Sequence, residues 1–337
     1  MTTTPANPSL DTAVRQPESR RPAPTATGVR ALIETTKPGI TRLVTMTSAV
    51  GFAMVVLSNA AVAEGTFAAR LGGWATLWNA LACLAGTALS AAGANTINQW
   101  MESERDAAMP RTQGRPLPSG RATHLNVLAF GIAASLAGLG LLWWVCGLVP
   151  MLISLACLVS YVVMYTPLKP VSPLATFIGA IPGALPPMIG SSAASHIDGW
   201  NALREPAGLA LFALMFIWQI PHFLALAWLY RDDYAKGGFA VLPAVDTKGS
   251  MTVWTVALWA LAFIPAAVLP AVLMPSVLGM PYAMIAAVSC VAFLVMAGRL
   301  VLERTRERAR GVFLASVMHL PLLLIAMVVE GTLRVIW

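Results

Sequence analysis

The chain has 337 residues and a net charge of +7, with 57% hydrophobic and only 11% charged residues; its mean hydropathy is +0.71. Soluble domains carry about 45–50% apolar and about 25% charged residues, so this chain lacks the charge to cover a water-soluble globule. Water-soluble enzymes, nucleic-acid binders and secreted disulfide scaffolds are excluded, and what remains is an integral membrane protein.

Residues 1–36 are rich in Pro, Thr, Ala and Arg and contain no apolar core of signal-peptide length, so they read as a disordered cytoplasmic tail. Residues 37–337 form one intramembrane domain. A spanning helix needs about 20 mostly apolar residues. Runs of that kind fall near 41–62, 75–98, 124–145, 149–165, 173–193, 207–229, 251–273, 278–298 and 312–333. The expected fold is therefore all-α, a polytopic bundle of nine transmembrane helices around a central cavity. Abundant Gly, Ala and Ser let such helices approach closely where no hydrophobic effect drives them together. The four cysteines (Cys83, Cys146, Cys157, Cys290) lie inside apolar runs without metal-site spacing and read as small buried side chains.

Lys and Arg fix the orientation. With the N-terminus cytoplasmic, 19 of the 22 basic residues fall on the cytoplasmic side, and only Arg70, Arg204 and Arg334 fall opposite. Cytoplasmic loops carry such an excess. The basic balance thus belongs to the lipid bilayer and implies no nucleic-acid partner.

That rule does not account for carboxylates in the same loops. The second span runs into Asn98-Gln-Trp-Met-Glu102-Ser-Glu104-Arg-Asp106. If the helix continues, Asn98, Glu102 and Asp106 share one face, about 6 Å apart from turn to turn. Two like charges at that spacing repel, and a divalent cation would turn the repulsion into binding. Mg²⁺ favours one or two carboxylates, completed by water and phosphate oxygens. Arg111 and Arg115 follow, with guanidinium groups suited to phosphate. A solvated loop is the simpler alternative for one such cluster, but a second stands on the same side. The sixth span ends in Tyr230-Arg231-Asp232-Asp233-Tyr234, and the fourth in Tyr165-Thr-Pro-Leu-Lys169. Two acidic patches, a lysine and several arginines at one end of a bundle fit a Mg²⁺-bridged diphosphate whose lipid tail lies within. The metal and cations would neutralise the leaving diphosphate as an allylic C–O bond breaks.

At these residues the sequence resembles the intramembrane prenyltransferases, whose first signature is Asn-x-x-x-Asp-x-x-x-Asp; here Glu102 stands for the first Asp. The nearer resemblance is to the protohaem IX farnesyltransferase (haem O synthase) branch. It rests on the stretch from Asn98 to Leu117, on Gly179-Ala-Ile-Pro-Gly-Ala-Leu-Pro-Pro-Met-Ile-Gly190, on Trp218-Gln-Ile-Pro-His222, and on Tyr230-Arg-x-Asp-Tyr234-x-x-Gly-Gly238. The resemblance covers residues from about 37 to 335. It implies farnesyl transfer from farnesyl diphosphate to a vinyl group of haem b, with water added, giving haem O for haem-copper oxidases. It implies Mg²⁺ as cofactor, held with the diphosphate by Glu102, Asp106 and the second-motif acids Asp232 and Asp233, with Asn98 orienting that site. Lys169 of the Tyr-x-x-x-Lys motif would hold diphosphate, joined by Arg111 and Arg115, with Tyr165, Arg231 and Tyr234 lining the substrate. The implied location is a cell inner membrane with the catalytic mouth facing the cytoplasm. A haem O-modifying enzyme or oxidase assembly proteins would take the product. Relatives usually carry Arg and Asn where this chain has Pro170 and Ala175, and Pro-Met-Leu-Pro where it has Ala240-Val-Leu-Pro243; Asp232 and Asp233 are adjacent instead of four apart.

His124 and His196 read as interfacial or solvated. His222, beside Pro221, and His319 lie within spans; ionisable groups there face the bundle interior, and a neutral imidazole can ligate haem iron. A hydrogen-bonded core role is the alternative for both. Two competing functions remain: a prenyltransferase with another acceptor, such as a quinone precursor, and a transporter. A transporter would place its acids near the bilayer midplane, often within inverted repeats; these acids lie at the rim.

Overall fold

The structure, a computed structural model, describes residues 28–195, 197 and 199–337. The expected tail up to residue 27 and His196 lie outside the described residues. Among those described, nine helices are long and apolar enough to cross a membrane: Pro38–Val62, Gly73–Met101, His124–Cys146, Leu148–Leu168, Ala175–Ala194, Pro206–Leu229, Ser250–Leu273, Met280–Leu302 and Arg306–Ile336. Every apolar run of the sequence thus corresponds to one spanning helix. The ends differ most in the eighth, which continues to Leu302, and the ninth, which begins at Arg306, so basic residues assigned to the loop between them lie in the last turn of one helix and the first turns of the other; the second continues to Met101.

One short element lies where the sequence placed the tail. Val29–Thr35 is helical, with Ala31 and Thr35 buried. Isolated helices below about 12 residues are marginal in water, so tertiary contacts hold this one. The Thr35 hydroxyl lies 3.1 Å from that of Thr96, Gln99 Nε2 donates to the Thr35 carbonyl at 3.1 Å, and Arg121 grips Glu34 at 2.7 and 2.9 Å. The chain then turns through Lys37, the one described non-glycine residue with positive φ (49°), into Pro38 at the start of the first span.

Small residues set the helix spacing, as the sequence predicts. A Cβ on Gly190 of the fifth span would sit 1.8 Å from the Ser48 carbonyl oxygen of the first, and one on Gly138 of the third would meet the Gly86 carbonyl of the second at 2.6 Å. Larger side chains fill the other half, where Leu211, Leu224, Phe263, Tyr282 and Phe293 are fully buried among the sixth to ninth spans.

Two departures from regular helix position the functional end. The fourth span widens locally through a π-helical segment, Ser160–Tyr165, in which Tyr161 stacks on Tyr165 with centroids 5.5 Å apart; such bulges often lie at functional sites. The fifth breaks at Leu185, before Pro186-Pro187. Between the first, second, fourth and fifth spans lies a cavity of about 100 Å³, lined by Val44, Ala91, Asn95, Tyr161, Gly179 and Gly183.

Candidate active site

The second span stops at Met101, Glu102 takes φ −93°, ψ 5°, and helix resumes over Ser103–Ala108. The i to i+4 bonding survives the break: Glu102 N–H donates to the Asn98 carbonyl at 3.0 Å and Asp106 N–H to that of Glu102 at 2.8 Å. The predicted stripe of Asn98, Glu102 and Asp106 therefore holds, and all three are buried, at 0%, 5% and 1% exposure.

Each carboxylate has its own cation. Lys169 Nζ donates to Glu102 Oε1 at 2.8 Å, and Arg115 Nη1 to Asp106 Oδ2 at 2.6 Å. These pairs offset the like-charge repulsion that the spacing creates. Asn98 links both sides of the mouth, accepting from Lys37 Nζ and donating to the Thr166 hydroxyl at 2.9 Å. Lys169 also lies over the rings of Phe239, 4.5 Å from its centroid, and Tyr165, at 5.3 Å, a cation–π setting.

Charge coupling follows this geometry. Burial opposes the Glu102 charge, but Lys169 and Lys37 outweigh it and hold the carboxyl below its usual value. Burial also opposes the Lys169 charge, and Tyr165, Glu102 and Tyr234 overcome it, raising that pKa. Lys37 goes the other way. Burial pushes its pKa down to about 7, against the pull of Glu102 and with repulsion from Arg115 and Lys169.

The second motif splits. Tyr234 packs edge-on to Phe239, and Arg111 lies over Tyr230 and Tyr234, at 5.2 and 5.9 Å. Arg105 donates to the carbonyls of Gly237 and Gly238, tying the two acidic loops together at 3.3 Å. Asp233 is half-buried, whereas Asp232 is exposed and pairs with Arg231 at 3.6 Å. Arg231, also exposed, lies over Trp228, so the structure does not bring Arg231 and Asp232 into the buried mouth.

Both histidines are hydrogen-bonded away from that mouth. The Ser316 hydroxyl donates to the Phe313 carbonyl at 2.6 Å and lies 2.8 Å from His222 Nδ1. A hydroxyl has one proton, so His222 donates through Nδ1–H and keeps a lone pair on Nε2. Its ring stacks on Trp218 at 4.6 Å. His319 is buried between Phe263 and Phe293, with Nε2 3.0 Å from the Ser289 hydroxyl.

Sequence reasoning missed Lys37, Phe239 and Arg105. Lys37 was counted only as a topology signal; its place directly before Pro38, where an apolar run begins, was the available clue.

Residues 56–323 match the UbiA prenyltransferase family. The chain belongs to that family. It is 40% identical over 297 residues to the protoheme IX farnesyltransferase of Solibacter usitatus, covering 88% of this chain and 96% of that one. With the protoheme IX farnesyltransferase of an Anaeromyxobacter species the identity is 38% over 291 residues, covering 86% and 90%. Among solved structures, a digeranylgeranylglyceryl phosphate synthase superposes with a TM-score of 0.68 at 17% identity, covering 90% of this chain and 98% of that one. A UbiA homologue from Archaeoglobus fulgidus bound to GPP and Mg²⁺ gives 0.59 at 13%, covering 91% and 100%. At these identities the structures establish the shared fold of this multi-pass membrane protein.

The donor set fits a hard divalent cation. Asp106 Oδ1 is buried without a hydrogen-bond partner, and the Glu102 carboxylate lies one turn away. No three His, Cys, Asp or Glu side chains cluster among the described residues, but Mg²⁺ takes only one or two carboxylates and fills its shell from water and phosphate.

Proposed function

We propose that this UbiA-family protein transfers the farnesyl group of farnesyl diphosphate to a vinyl group of haem b, with addition of water, giving haem O and diphosphate for haem-copper oxidases. One observation carries the reading: two buried carboxylates, each paired with a cation, lie about two to three helical turns beyond Asn95, which lines an apolar cavity within the bundle. The names borne by its relatives supply the acceptor.

Glu102 and Asp106 would hold Mg²⁺, with Asp233 as the less exposed acid of the second motif. Bound there, the metal supplies positive charge against the diphosphate oxygens. The chain's own groups do the rest. Diphosphate binding exchanges partners: Lys169 and Arg115 leave the carboxylates for phosphate oxygens, joined by Lys37 and Arg111. Asn98 keeps Lys37 and Thr166 in place during the exchange. These cations stabilise the charge that develops as the C–O bond breaks and its electron pair stays on diphosphate. The rings of Tyr165 and Tyr234 flank the allylic cation. The vinyl π pair then bonds to the farnesyl C1. Water captures the resulting cation beside the macrocycle and loses a proton, which balances the addition.

The basic asymmetry supports a mouth facing the cytoplasm from the inner membrane, and a membrane-bound product suits direct transfer to a haem O-modifying enzyme or an oxidase assembly protein. The test is incubation of purified protein with haem b, farnesyl diphosphate and Mg²⁺, followed by mass spectrometry of the haem. A mass gain of one farnesyl group plus water is expected. Prenylation of a quinone precursor with none of haem b would refute the acceptor assignment.

A further inference from the structure

A second cleft opens beside the mouth. It lies between the end of the sixth span and the start of the ninth, has a volume of about 550 Å³, and is lined by Tyr230, Arg306, Glu307, Arg310, Phe313 and Leu314. Arg306 and Arg310 are exposed, stand one turn apart on one helix face, and form no ion pair among the described residues. Their neighbours differ: Arg308 binds Glu303 at 2.9 Å and Arg304 donates to the Lys248 carbonyl at 3.3 Å.

Three features indicate what this cleft takes. Its lining combines the two arginines with the aromatic residues Tyr230 and Phe313, and Phe313 lies 5.2 Å from the His222 ring. Tyr230 also carries Arg111 at 5.2 Å, so the cleft adjoins the diphosphate mouth. Farther along the same face of the ninth span, Leu320, Pro321 and Leu324 line an apolar groove of about 360 Å³ against Leu43 and Met46 of the first; the helical period aligns these with Arg306 and Arg310. Cations above, flat rings in the middle and alkyl groups below complement a planar amphiphile with two carboxylates. The two arginines outnumber Glu307, and guanidinium groups bind carboxylates in fork geometry.

We propose that this cleft holds the acceptor, with Arg306 and Arg310 binding the two haem propionates and the macrocycle resting against Tyr230 and Phe313. This rests on haem b being the acceptor.

The test compares haem b with its dimethyl ester, titrated by absorbance into protein in phosphatidylcholine nanodiscs, which offer no anionic headgroup. Wild-type protein should bind the diacid about tenfold or more tightly than the ester, as expected for charge-assisted bonds. Arg306→Gln/Arg310→Gln should lose that preference while keeping its farnesyl diphosphate affinity, which reports correct folding. Arg304→Gln/Arg308→Gln removes equal charge from the same end and should keep the preference. A preserved preference in the first variant, or its loss in both, would overturn the proposal. Equal binding of diacid and ester by wild-type protein that still makes haem O would overturn the cleft assignment alone. Wild-type protein that binds neither form would overturn the acceptor assignment with it.

Discussion

Asp106→Asn separates charge from shape at the centre of the mouth. Asp106 is 1% exposed and Arg115 is 24% exposed, joined at 2.6 Å. A hydrogen bond between charged groups contributes about 1.5–3 kcal/mol. Asparagine retains one oxygen to accept from Arg115, and partial exposure lets that guanidinium rehydrate, so the stability cost should be about 1–2 kcal/mol. In a bundle of this size that lowers the melting temperature by only a few degrees, about 2–4 °C per kcal/mol at most. Catalysis should suffer far more. The substitution removes negative charge where Asp106 Oδ1 is buried without a partner, and losing one group that stabilises transition-state charge costs about 10²–10³-fold in rate. The assay is single-turnover haem O formation in nanodiscs across a Mg²⁺ titration, with a thermal melt of the same preparation. Near-normal turnover at limiting Mg²⁺ would refute the reasoning. So would a collapse of the melt, since the lost rate would then report unfolding.

Asp233→Asn should lower turnover at least tenfold, whereas Asp232→Asn, at an exposed position, should stay within about twofold; equal losses in steady-state assays would remove the distinction between the two acids. Lys37 is a cation below its pKa of about 7 and neutral above it, so farnesyl diphosphate affinity should weaken as pH rises between about 6 and 8. Lys37→Arg should bind with little change over that range, and matching profiles for the two proteins would exclude Lys37 as the titrating group. His222→Ala should alter the haem absorption spectrum and weaken haem binding without changing farnesyl diphosphate affinity, while His319→Ala leaves the spectrum intact. An unchanged His222→Ala spectrum would leave that residue as a core hydrogen-bonding partner of Ser316.

The sequence by itself determined the nine spans and the stripe of Asn98, Glu102 and Asp106. Lipid permits few backbones, so apolar length alone marks a spanning helix, and helical spacing alone aligns residues four apart. Partner choice belonged to the tertiary structure. Arg111 and Arg115 look equivalent in sequence, yet Arg115 pairs with Asp106 while Arg111 lies over Tyr230 and Tyr234. Asp232 and Asp233 are neighbours with different exposure. Lys37 reaches Asn98 across 61 positions, and Ser316 meets His222 across 94. The helix Val29–Thr35 forms where composition indicated none, because Thr35 and Glu34 find Thr96, Gln99 and Arg121. Such pairings depend on which helix faces meet and how closely Gly86, Gly138 and Gly190 let them approach, and no local pattern along the chain encodes that distance.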